Sequence, residues 1–97
     1  MSLTRERVLD VLVTVLQEIQ KDIVGEPERI SEKTVPIGNL NDFDSLASVE
    51  ATVDILARLG FEIDEFPSYP SLFIKQHNAL NVGQVADRIL RLNSRRN

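Results

Sequence analysis

The chain has 97 residues, 42% hydrophobic and 27% charged, the composition of one folded domain and not of a disordered segment. Fifteen acids against eleven bases give a formal net charge of −4, which opposes general binding to nucleic-acid phosphates or insertion among anionic lipids. With no cysteine and one histidine, disulfide scaffolds, thiolate metal sites, cysteine nucleophiles and histidine relays are excluded, and an aromatic content of 5% without tryptophan argues against a base-stacking platform.

The first element runs from Thr4 to Val24. Val8, Leu9, Leu12, Val15, Leu16, Ile19 and Ile23 recur at helical spacing. Thr4 starts this helix, and Gly25 followed by Glu26-Pro27 stops it. Val11 and Val13 widen the apolar face, which predicts packing against more than one neighbour. Residues 25–43 keep no period, and their Gly, Pro and Asn residues predict a long loop. Ile30, Val35, Ile37 and Leu40 are the apolar pins expected to hold it down.

A second helix is predicted from Asp44-Ser45, with Leu46, Val49, Val53, Leu56 and Leu59 at helical spacing and Gly60 just past its end. Phe61 to Pro70 reads as a second loop, with Ile63 and Phe66 as core anchors. A short helix is predicted over Ser71–Gln76. Asn81, three residues before Gln84, then caps a final helix whose apolar positions are Val82, Val85, Ile89 and Leu92. No alternating strand pattern is present. The expected fold is all-α, a four-helix bundle of three long helices and one short one, with the long loop between the first two. One domain spans 1–97, with 1–3 and 94–97 frayed. No apolar run reaches the roughly 18 residues that span a bilayer, and no signal-like segment precedes the first helix, so the expected location is cytoplasmic.

The stretch Leu40-Asn41-Asp42-Phe43-Asp44-Ser45-Leu46-Ala47-Ser48-Val49-Glu50 carries the chemistry. Ser45 is a hydroxyl at a helix N-terminus, flanked by acids. Capping alone explains that arrangement, because Ser and Asp are the preferred N-cap residues and acids favour the positive end of the dipole. Asp44-Ser45-Leu46, with Val49 and Glu50 after it, nevertheless resembles the signature of the acyl carrier protein family. The layout of nearly the whole chain and the exit Gly60-Phe61-Glu62-Ile63 are similar to that family too.

The resemblance implies that Ser45 carries 4′-phosphopantetheine, donated by coenzyme A through a phosphopantetheinyl transferase. The chain would hold an acyl or aminoacyl group as a thioester on that arm and deliver it to partner enzymes, catalysing nothing itself. A loading ligase, synthases and transferases are the implied partners. The resemblance also makes Asp44 and Glu50 docking residues. Leu46, in the first turn, is expected partly exposed and in contact with partners, whereas Val49 is expected in the core. Phe43 is expected either to shield the arm or to offer partners an apolar contact.

Between Asn39 and Ile74 the acids Asp42, Asp44, Glu50, Asp54, Glu62, Asp64 and Glu65 are opposed only by Arg58, which predicts an acidic face that steers basic partners. Two departures from the family pattern point to a specialised lipid, polyketide or peptide pathway over housekeeping fatty acid synthesis. The glycine usual two residues before the aspartate is absent, and Ala47, Leu56, Ala57 and Arg58 replace carboxylates. The competing reading is an acidic helical adaptor that binds a protein partner without a prosthetic group. His77 reads as a surface residue near the end of the short helix. Arg88, Arg91, Arg95 and Arg96 read as a basic end that complements a helix C-terminus. A monomer is expected, with no nucleic-acid partner and no bound metal.

Overall fold

Four helical segments and one β-hairpin follow one another in the computed structural model, which describes residues 3–25, 29–40 and 42–95. Helix α1 (Arg5–Val24) begins where Thr4 Oγ1 accepts from the Arg7 amide at 3.1 Å. It ends where Gly25, at φ 86°, donates back to the Lys21 carbonyl. Glu26 and Pro27, expected to complete the stop, lie outside the described residues. Val8, Val11, Leu12, Val15 and Leu16 are buried, and α1 packs against both later long helices, as its broad apolar face requires. Gln20 is buried among them, which the apolar periodicity alone does not foresee.

The long connection contains one irregular helical turn, α2 (Pro36–Asn39), in which Ile37 and Gly38 leave helical dihedrals. Leu40 is its fully seated pin, with Ile30 and Ile37 packed more loosely against the core. The loop also closes the start of the last helix. The Thr34 and Glu32 carbonyls accept from the Val82 and Gly83 amides, both at 2.9 Å.

Helix α3 (Ser45–Arg58) buries Ser48, Ala51, Thr52, Ile55 and Leu56. Its end is a Schellman motif: Gly60, at φ 86°, donates to Ala57, and Phe61 donates to Leu56. This geometry turns Phe61 into the core beside Leu56. Ile63, expected as an anchor, instead begins a 3₁₀ turn (Ile63–Glu65) and is 84% exposed. With Phe61 already holding the apolar site at the helix exit, Ile63 falls on the outside of the turn. Phe66 is half-buried.

The short helix expected over Ser71–Gln76 is absent; a turn and a hairpin stand in its place, β1 (Ile74–Lys75) paired antiparallel with β2 (Asn78–Ala79). The carbonyls that a helix would use are taken elsewhere: Arg88 donates to those of Ser71 and Leu72, at 3.3 and 3.1 Å, and the Leu80 amide donates to that of Phe73 at 2.8 Å. Gln76 and His77, both at positive φ, form the two-residue tip, as a type I′ turn requires. His77 therefore sits exposed on a hairpin and not at a helix end.

Helix α4 (Val82–Ser94) starts with the expected reciprocal cap, Gln84 amide to Asn81 Oδ1 and Asn81 amide to Gln84 Oε1, both 2.8 Å. Ser94 is helical and Leu3 packs against the core; Met1, Ser2, Arg96 and Asn97 lie outside the described residues. The radius of gyration is 12.6 Å, against about 12.5 Å for one compact domain of this length. The molecule is thus a small, mostly helical bundle with a two-stranded appendage. No helix among the described residues is long and apolar enough to cross a membrane.

Candidate functional site

The site is the first turn of α3. Asp44, in extended conformation, is its N-cap, and its Oδ1 accepts from the Ala47 amide at 2.9 Å. Ser45 is consequently the first helical residue and is spared the capping role. Its side chain is exposed, and among the described residues its hydroxyl has no hydrogen-bond partner. The Ser45 and Leu46 amides also have no acceptor among the described residues, as the first turn of a helix leaves them. The contrast with α4 is direct: the loop carbonyls and Asn81 occupy that helix's first three amides. An exposed hydroxyl beside open amides at the positive end of a helix suits an attached anionic group.

Beneath Ser45 the turn is tied to the core by hydroxyls. Ser48 Oγ donates to the Ser45 carbonyl at 2.6 Å and lies 2.8 Å from Ser71 Oγ. One turn on, Thr52 Oγ1 donates to the Ser48 carbonyl at 2.8 Å while accepting from Leu72. These buried hydroxyls fix the α3 entrance against the segment leading into the hairpin. The sequence signal for them was a Ser and a Thr four residues apart on the apolar side of α3, a pattern unlike a cap.

The other site residues separate into three groups. Leu46 is 69% exposed beside Ser45, Glu50 is exposed one turn further on, and Val53, 51% exposed, continues that face. Val49 is half-buried at its edge rather than fully in the core. Phe43 is only 3% exposed: it meets the Phe73 ring edge-on, with centroids 5.5 Å apart, and so offers partners no apolar surface. Burying this ring under the loop outweighs placing it near the hydroxyl, since a phenylalanine gains about 1.5–3 kcal/mol by leaving water.

Asp54 is not a free carboxylate. Arg58 donates to it at 2.9 Å and to Glu18 of α1 at 2.6 Å. The hydrogen bond it donates to Glu18, then that to Asp54, pushes the Arg58 pKa above its ordinary value. This ion triad ties α1 to the end of α3. The exposed acids that remain near the site are Asp42, Asp44 and Glu50, with Glu62 and Asp64 at the far end of the helix.

Comparison with protein-family models, with curated proteins and with solved structures finds no match to this chain. The functional reading therefore rests on the residues of the site.

Proposed function

We propose that the chain is a specialised carrier protein with an acyl-carrier-type helical fold, in which Ser45 is the attachment point of 4′-phosphopantetheine. The observation that carries this reading is the division of labour at α3: Asp44 takes the cap, leaving the Ser45 hydroxyl exposed and unbonded among the described residues. The residues present fit the group. Open amides and the helix dipole favour a phosphodiester at Ser45, and exposed Leu46 and Glu50 border the position a transferase must reach. When bound, the group supplies the thiol on which an acyl or aminoacyl cargo is held as a thioester. The chain's own part is to present the arm and raise the cargo's effective concentration at each partner enzyme. The hairpin at 74–79 departs from the short helix that the family layout places before the last helix.

The test is the intact mass after incubation with coenzyme A, Mg²⁺ and a broad-specificity phosphopantetheinyl transferase. Addition of one phosphopantetheine, lost in Ser45→Ala, is the expected result. An unchanged mass with several such transferases, in a protein that remains folded, removes the carrier reading and leaves the acidic adaptor.

A further inference from the structure

On a chain with net charge −4, four cations gather where the hairpin meets α4. Two adjoining cavities of about 160 and 190 Å³ lie there and share Lys75, Arg88 and Arg91. Tyr69, Leu92 and Arg95 complete the first; Leu80, Gln84 and Asp87 complete the second. Arg88 has a structural task. Its guanidinium donates to the carbonyls of Ser71, Leu72 and Ile74 at 3.3, 3.1 and 2.9 Å and covers the Tyr69 ring at 3.9 Å. The other three have none: among the described residues Lys75, Arg91 and Arg95 make no ion pair, whereas Arg5 and Arg58 each hold two carboxylates.

The dipole of α4 accounts for basic residues in its last turn, but not for Lys75, which the hairpin brings to the same cavities. Arg91, in the last turn of α4, and Arg95, its C-cap, stand four residues apart, a like-charge spacing that is mildly destabilising when nothing anionic lies between the groups. Asp87, the acid lining the second cavity, already serves Arg5 at 2.7 Å.

We infer that this cleft binds a small phosphate monoester. Its phosphate sits in the first cavity against Lys75, Arg91 and Arg95, where charge-assisted hydrogen bonds replace the mutual repulsion of the cations. Its hydroxylated body reaches the second, where Gln84 donates or accepts and Asp87 accepts. Each cavity is smaller than the roughly 300–1,000 Å³ of a drug-sized site, which limits the occupant to a small molecule. Ser45 takes no part, so the inference stands or falls apart from the carrier reading.

The experiment is an amide-shift titration of the full ¹⁵N-labelled chain with glycerol 3-phosphate, with inorganic phosphate, and with chloride at matched ionic strength. Saturable shifts confined to residues 69–75, 80–84 and 87–95 are expected, with glycerol 3-phosphate about threefold or more tighter than inorganic phosphate for one added hydrogen bond. Arg91→Gln and Arg95→Gln should each weaken binding about tenfold, and Arg7→Gln on α1 should leave it unchanged. Shifts equal to those in chloride, binding that survives both cleft substitutions, or glycerol 3-phosphate no tighter than inorganic phosphate would overturn the assignment.

Discussion

Ser45 and Ser48 stand three residues apart on α3 and do opposite work. One faces solvent without a bond among the described residues; the other is buried, sharing its hydroxyl with Ser71. The difference is helix phase, set by which side of α3 faces the core. The buried hydroxyls matter to stability because each answers a group that water cannot reach. Thr52→Val keeps the side-chain shape but strands the buried Leu72 amide, and should cost about 1–3 kcal/mol, measured as a lower urea midpoint with unchanged slope. Glu50→Lys, in contrast, changes an exposed charge. It should change the unfolding free energy by no more than about 0.5 kcal/mol and, if the proposed carrier function holds, lower kcat/KM but not kcat for transferase modification of Ser45 through a weaker encounter. Equal kcat/KM at low salt would take Glu50 out of the docking surface. At this scale the exposure of Leu46 and Ser45 was readable from their place in the first turn. The burial of Phe43 was not, because its partner Phe73 lies thirty residues away.

Among the elements, the three long helices were legible because each carries both an apolar period and its own end signals: Thr4 and Gly25, Asp44 and Gly60, Asn81 and Gln84. Gly60→Ala places a Cβ at φ 86°, where an L-residue is strained by about 1–2 kcal/mol, and should lower the thermal midpoint without altering helix content. Space is not the obstacle there, since nothing lies within 4 Å of the added atom. An unchanged midpoint would mean that the Schellman turn does not hold Phe61 in place. The segment 71–79 was misread for a reason of the same kind. Six residues with Leu72 and Phe73 fit a helical turn as well as a strand. What decides against the helix is remote: Arg88 collects the Ser71, Leu72 and Ile74 carbonyls, and the Leu80 amide donates to the Phe73 carbonyl.

Over the whole molecule, charge is sorted as well as hydrophobicity. Exposed acids surround the α3 entrance and the turn after its exit, cations collect at the hairpin and α4, and Arg5 and Arg58 tie separate elements together through Glu32, Asp87, Glu18 and Asp54. Hydrogen bonds donated to their carboxylate partners, Glu32 foremost for Arg5 and Glu18 for Arg58, raise both arginine pKa values above their ordinary range. A raised folded-state value means that the arginine's contribution is complete below the unfolded value and fades only as pH climbs through the folded one. The difference in thermal midpoint between the protein and Arg58→Met should therefore be the same at about pH 7 and about pH 10, both far below that range. A gap that narrows by pH 10 would show that a different group titrates with the triad.

The chain's own pattern determined the three long helices, the acidic character and the place of Ser45, since periodicity, caps and charge are local and need no neighbour to act. Tertiary structure alone decided that Phe43 is core, that Arg58 bridges Asp54 to Glu18 of α1, and that 71–79 is a turn and hairpin flanked by a basic cleft. Each of those outcomes depends on a residue distant in sequence competing for the same apolar space, backbone acceptor or charge. Such competitions are settled only once the helices have packed.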